Sequence, residues 1–363
     1  MVEDRDELLM TPGPTAVPPE VREAMSRAPV NPDVQAEFSP FYRDVLEKTA
    51  RVYDTDDDVL VLSGEGMLGL EASVASLVEP GEEVLCLANG IFGEGFADFV
   101  EMHGGEAVVH DAPPESGFDP EAVKSVVADH DFAAATMVHC ETPTGVLNDL
   151  GEILALLRDA GVLTIVDAVS SLGGTAVPTD DIDVCLGASQ KCLSSPPGLT
   201  TLSVSDRAWE KVEATEQDTF YTSLAPWRDV DLPDDEPPHL PYTHAVSNLY
   251  ALDASLDRLL EEGLASAYDR HESVAEQCRE RGRDLGLDPF ADSTALCSPT
   301  VTAFRTEGRA SDLQRRLETD HGVVVATGLG ELEDDVLRVG HMGYNADAER
   351  VERTMDALAD VLD

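Results

Sequence analysis

An aspartate closing one apolar run and a lysine just beyond a later one are the residues of this chain best suited to chemistry. Asp167 ends Leu163–Asp167, and Lys191, twenty-four residues on, follows Val184–Gly187 in the stretch Gly-Ala-Ser-Gln-Lys. A primary amine condenses with an aldehyde, and a carboxylate keeps a pyridine nitrogen protonated so that the ring accepts electrons. The pair therefore suits a pyridine-aldehyde cofactor. Taken singly, Asp167 would pass for a helix cap and Lys191 for a solvated surface residue. The chain, however, keeps only four lysines, Lys48, Lys124, Lys191 and Lys211, and Lys191 stands between apolar runs. Two further groups are suited to anions. The turn Ser63-Gly64-Glu65-Gly66 precedes the helical pattern Met67–Val78, and the free N–H groups at such a helix start form a phosphate seat. Arg338, flanked by Val336, Leu337 and Val339, can grip a carboxylate through two parallel hydrogen bonds.

Seven apolar runs are in place to position these groups: Val59–Ser63, Val84–Leu87, Ala107–His110, Ala134–His139, Leu163–Asp167, Val184–Gly187 and Thr200–Val204. They lack polar alternation and are separated by amphipathic stretches such as Glu121–Ala128 and Leu150–Ala160. That pattern predicts an α/β fold with a mostly parallel sheet covered on both faces. Asp167, at the end of a strand, then lies where ligands of such sheets are met. From Asp218 to Tyr242 the pattern breaks into a Pro- and Asp-rich loop, too long for a routine connection. Helical patterns follow at His244–Glu262 and Ala265–Leu285, then a segment from Phe290 to Asp363 that closes with a helix at Asp347–Leu362. Two domains are expected, a large one over 1–250 and a smaller α+β one over 251–363.

The chain of 363 residues carries 72 acidic against 24 basic residues, a net charge of −48. Such a surface repels nucleic acid and anionic membranes, whose recognition needs clustered Lys and Arg. No apolar run reaches the ~18 residues of a membrane span. The acidic start, MVEDRDELLM, lacks the basic and apolar regions of a secretory signal, so a cytoplasmic protein is expected. Self-repulsion of this size is relieved by screening, which points to a high-salt host. The six cysteines contain no Cys-x-x-Cys pair, so neither a metal site nor a disulfide framework is expected.

The motifs in order are TPGPT (Thr11–Thr15), SGEG, NGIFG, HCETPTGV, VDAVSSLGG, GASQK, YTHAVSNLYAL and LRVG. As an ordered set over most of the chain they resemble the class V aminotransferases of fold type I, nearest to the alanine–glyoxylate and serine–pyruvate group. The resemblance implies a large domain with a seven-stranded, mostly parallel sheet, a small C-terminal domain, and pyridoxal 5′-phosphate bound covalently by Lys191 over Asp167. It further implies that the backbone amides of Glu65, Gly66 and Met67 hold the phosphate, with Gln190 beside them. Phe92 would stack on the ring and Thr142 would bond its phenolic oxygen. Arg338 would take the substrate carboxylate, and Gly13 would border the substrate pocket. Thr243 would reach the phosphate of the neighbouring subunit in a homodimer that shares its active sites, with Tyr242 as a weaker match for the same part.

Two positions depart from the family pattern. A Ser or Thr is common where Glu65 stands, and a carboxylate facing a phosphate would be expected to turn away. An His-Arg pair often precedes the Glu-Phe that is here Glu37-Phe38, where this chain has Asn31-Pro32-Asp33-Val34-Gln35-Ala36. The activity implied is transfer of an amino group from alanine or serine to glyoxylate or pyruvate. Its rivals are a class V lyase, a cysteine desulfurase, an aminoethylphosphonate aminotransferase, and a non-catalytic scaffold. Phe92 in place of a stacking His, with no cysteine on an obvious loop, disfavours the desulfurase. Retention of Asp167, Lys191 and Arg338 together disfavours the scaffold.

Overall fold

The computed structural model describes residues 7–362; Met1–Asp6 of the acidic start lie outside the described residues. In chain order the strands are β1 (Leu8–Leu9), β2 (Asp58–Ser63), β3 (Glu83–Ala88), β4 (Glu106–Asp111), β5 (Ala134–Val138), β6 (Cys140–Glu141), β7 (Val146–Leu147), β8 (Leu163–Asp167), β9 (Val184–Ala188), β10 (Leu199–Val204), β11 (Thr302–Arg305), β12 (Val323–Val324), β13 (Ala326–Thr327) and β14 (Val336–Val339). The α-helices are α1 (Pro19–Met25), α2 (Phe38–Tyr53), α3 (Gly66–Leu77), α4 (Ile91–Met102), α5 (Pro120–Asp129), α6 (Gly151–Asp159), α7 (Asp206–Ala214), α8 (Ala225–Arg228), α9 (Val246–Glu262), α10 (Leu264–Asp284), α11 (Ala310–His321) and α12 (Ala348–Leu362).

The seven apolar runs form one sheet in the order β2-β10-β9-β8-β5-β3-β4. Only β10 runs against its neighbours; the remaining pairs are parallel. The central strands β5, β8 and β9 are buried at every position, whereas the edge strand β4 is fully buried at none. Side chains of a strand point alternately to either face, and the cores sort accordingly. Leu85, Leu87, Ala135, Met137 and Cys185 pack in one cluster; Val84, Cys86, Ala134, Val138 and Leu186 pack in another. Helices on both faces cover them, as continuous apolar strands require.

A three-stranded sheet, β11-β14-β13, with α10, α11 and α12 makes the C-terminal unit. The N-terminal segment joins it: Leu8 pairs in parallel with Val323, and Leu8 and Met10 share a core with Val274, Phe304, Leu337 and Leu358. The Met10 carbonyl also accepts the Gly340 N–H at 2.7 Å. Pinned in this way, the chain is led from Met10 directly into Pro12-Gly13 beside Lys191. The Pro- and Asp-rich loop contains the single turn α8 and is tied by aromatic contacts. Tyr221 stacks on Tyr242 with centroids 4.5 Å apart, and Trp227 meets Tyr242 edge-on.

Candidate active site

The strands β2, β3, β5, β8 and β9 point the same way, so their carboxyl ends meet along one edge of the sheet, where ligands of open α/β sheets bind. β2 leads into Glu65 and α3; β3 leads into Gly90 and α4, which carries Phe92; β5 leads into Glu141 and Thr142; β8 ends on Asp167; β9 leads into Gln190 and Lys191. Together they enclose a cavity of about 340 Å³. Every site residue singled out above lines it except Arg338, Thr243 and Tyr242.

The Lys191 amine donates to the Pro12 carbonyl at 2.7 Å. Burial pushes its pKa down, the Arg338 charge adds to that, and Asp167 opposes it. A lowered pKa leaves more of the amine neutral, the form that attacks an aldehyde. Asp167 is buried, and its Oδ1 accepts the Val169 N–H at 2.8 Å. Burial pushes this carboxyl up to about 6, against the pull of the Val169 N–H and of Lys191. The Thr142 hydroxyl is in hydrogen-bond contact with the Ser170 hydroxyl, and Ser170, three residues after Asp167, lines the same cavity.

Gly13 sits against the lysine with φ +105°, and a Cβ there would come within 2.4 Å of Lys191 Cδ. Both the backbone conformation and the space require glycine. A Gly13→Ala substitution is expected to push the Lys191 stem aside and slow covalent capture of an aldehyde about 100-fold. Stopped-flow absorbance checks this, and an unchanged capture rate would show that the approach does not hold the amine in place.

Arg338 on β14 is buried, and its Nε donates to the Thr327 carbonyl at 2.6 Å. Burial lowers its pKa to about 10 while Glu141 opposes the shift. The guanidinium is held at one nitrogen and lies close enough to Lys191 and Glu141 to be felt by both. Thr243 is exposed and lies in a separate cleft with Asn31, Pro32 and Asp33; its hydroxyl donates to Asp33 Oδ2 at 3.0 Å. Within one chain it does not meet the cavity.

Glu141 was not singled out from the sequence, yet it is fully buried beside Thr142. It accepts the N–H groups of Phe92 and Gly93, each at 3.3 Å, and so caps α4 and holds the Phe92 end of that helix to the Thr142 turn. Burial pushes its carboxyl up to about 7, against the Phe92 N–H. The signal was available: a Glu enclosed by apolar and turn residues in His-Cys-Glu-Thr-Pro-Thr-Gly is rarely left without partners.

The ring end of this cavity fits a pyridine aldehyde: an amine for the aldehyde, a carboxylate for the ring nitrogen, an aromatic side chain and a hydroxyl. The other end offers the amino end of α3 and Gln190, whose Oε1 is buried without a partner. Gly66 is tight there, since a Cβ would meet Val169 Cγ2 at 3.2 Å. The Glu65 side chain accepts the Met67 N–H at 3.1 Å as the N-cap of α3.

A doubly covered sheet with a lysine and an aspartate at its ligand edge defines a lysine-bound cofactor enzyme of the fold-type-I architecture. The chain belongs to the class V aminotransferase family, whose model matches residues 8–353. It is 37% identical over 348 residues to an uncharacterized aminotransferase of Methanocaldococcus jannaschii, covering 94% of this chain and 89% of that protein. It is 34% identical over 346 residues to the pyridoxamine–pyruvate transaminase of Mesorhizobium japonicum, covering 93% and 87%. The crystal structure of an alanine–glyoxylate aminotransferase from Nostoc superposes with TM-score 0.93 at 31% identity, covering 100% and 97%. The protein is therefore an aminotransferase, and membership of the family implies pyridoxal phosphate. Among the described residues no helix is long and apolar enough to cross a membrane, and no cluster of metal-ligating side chains occurs.

Proposed function

We propose that this enzyme moves an amino group from alanine or serine to glyoxylate or pyruvate. The observation that carries the reading is the Lys191 amine, its pKa lowered by burial, facing a buried Asp167 in one cavity. When bound, the cofactor supplies an aldehyde that takes up the amino group and a ring that accepts the electron pair from the substrate α-carbon. Lys191 would hold the aldehyde carbon, and its amine would carry the proton taken from the substrate α-carbon. Asp167 would keep the ring nitrogen protonated; Phe92 and Thr142 would orient the ring; Arg338 would take the substrate carboxylate. The donor assignment is supported by the Nostoc relative's name.

In the same reading the enzyme works as a homodimer, with Thr243 completing the partner's site, in a salt-rich cytoplasm, with its domains divided near residue 250. The exposed position of Thr243 supports the shared site, and the net charge of −48 supports the salt-rich setting. The test is an absorption spectrum of the aldehyde-loaded protein before and after L-alanine. The visible band is expected to collapse toward the amine form and to return on adding glyoxylate. A band indifferent to alanine and serine, yet responsive to cysteine or aminoethylphosphonate, would move the enzyme to a rival class V chemistry.

A further inference from the structure

Arg338 is a buried cation with donors to spare. Its Nε donates to the Thr327 carbonyl at 2.6 Å, and among the described residues its terminal nitrogens form neither a hydrogen bond nor an ion pair. A guanidinium has five N–H donors, and burying it with no opposite charge nearby is costly. Glu141 supplies that charge without making the pair. Its oxygens are taken separately at the start of α4, Oε1 by the Phe92 N–H and Oε2 by the Gly93 N–H, each at 3.3 Å. The positive end of a helix favours a carboxylate there. Gly90 leaves room for it, since a Cβ at that position would come within 2.4 Å of Glu141 Cγ.

The backbone brings the two charges near each other by a separate route. The Glu141 carbonyl accepts the Gly145 N–H at 2.9 Å. Gly145 lies against Ala303 of β11, and Ala303 pairs across the small sheet with Arg338. The Glu141 charge accordingly opposes the effect of burial on the guanidinium. In an exchange of amino groups, two amino acids and two keto acids each bring a carboxylate to one cation. Holding all of them more tightly lowers KM without raising kcat. A carboxylate closed onto Arg338 would have the reverse fault, because every incoming acid would first have to break an ion pair.

We propose that Glu141 is a positioning residue that sets how strongly Arg338 holds the substrate carboxylate, while α4 and Gly90 keep it from closing onto the guanidinium. The proposal rests on the aminotransferase reading and deepens it.

The experiment measures the Kd of propionate for the cofactor-loaded enzyme by calorimetric titration at pH 8. Propionate has the carboxylate but no amino group to react, so it reads the grip alone. That pH lies above the Glu141 carboxyl, which burial and the like charges of Asp167 and Glu94 raise to about 7. Glu141→Gln removes the charge at nearly constant shape and is expected to tighten propionate about tenfold, the scale of one charge acting across a partly screened interior. KM for L-alanine should fall with it while kcat does not rise. Gly90→Ala keeps the charge but crowds it off its two amides, and the extended backbone at Gly90, φ 169°, accepts alanine. The freed carboxylate then pairs with Arg338, and propionate is expected to bind about tenfold more weakly. Opposite shifts are the signature, because a residue that only caps α4 would weaken binding in both variants or leave both unmoved. Any pattern other than opposite shifts overturns the proposal; should one variant not fold, the direction of the other decides. Arg338→Met separates this proposal from the reading beneath it. If that variant loses propionate while the other two leave it unmoved, the proposal falls and the carboxylate assignment stands. If it binds propionate as the parent does, the assignment of Arg338 falls and takes the proposal with it, leaving amine transfer at Lys191 untouched.

Discussion

A Lys191→Ala variant is expected to lose amine transfer on the order of 10,000-fold or more, because one side chain serves as both the covalent anchor and the proton carrier. The loss should appear in two separate measurements. Borohydride should trap no adduct in the variant, and single-turnover conversion with L-alanine should fall to the background rate. The fold should survive, since among the described residues the amine is hydrogen-bonded to the Pro12 carbonyl alone and the other walls of the cavity belong to the sheet ends, α3, α4 and the Gly13–Pro14 turn. A small amine such as methylamine, added in solution, should restore part of the proton transfer but not the anchoring. The change also acts on its neighbour. Lys191 holds the Asp167 carboxyl down, so its removal should move that titration above about 6. An unshifted Asp167, or a variant that still traps the aldehyde, would show that another amine does the work.

Much of this site was legible because its parts lie at the ends of uniformly apolar strands. Seven such runs marked the seven strands of the large sheet, and the polar residues closing them marked its ligand edge: Glu65 after β2, Asp167 at the end of β8, Lys191 after β9. What stayed hidden depended on contacts between distant segments. α2 and α4 were not among the helices read; α4 begins inside Asn-Gly-Ile-Phe-Gly, whose glycines weaken any helical signal, and it is capped by Glu141 from another strand end. The attachment of Leu8–Met10 to the C-terminal core leaves no trace in two or three apolar residues near a terminus. The Glu65 cap is instructive in the opposite sense. Electrostatics argued that the side chain should avoid a bound phosphate; without one, an exposed amide at a helix start attracts whichever carboxylate is near. In the ligand-free protein that carboxylate is its own.

The second large effect falls on Asp167. An Asp167→Asn variant is expected to transfer amine about 100- to 1,000-fold more slowly, the scale seen when a preoriented electrostatic partner of the reacting group is removed. The substitution is nearly isosteric, and the amide oxygen can still accept the Val169 N–H that Oδ1 now accepts at 2.8 Å, so the loss is of charge and not of shape. Its sign in stability is opposite. Burial raises the folded carboxyl from an ordinary 3.8 to about 6. Between these values the folded ligand-free protein holds a proton that the unfolded chain has released, so raising the pH through that window costs stability, by about 2–3 kcal/mol once above 6. Asn carries no such cost. The ligand-free variant should therefore melt a few degrees higher than the parent at pH 8 and show little difference at pH 4. The parent's amine transfer should fall on the acid side, as the carboxyl takes up a proton, and the variant should lack that limb. A variant that is slower and less stable at pH 8 would mean that Asp167 is a structural cap, whereas one that is slower and more stable identifies a charge kept in the core for its action on the ring.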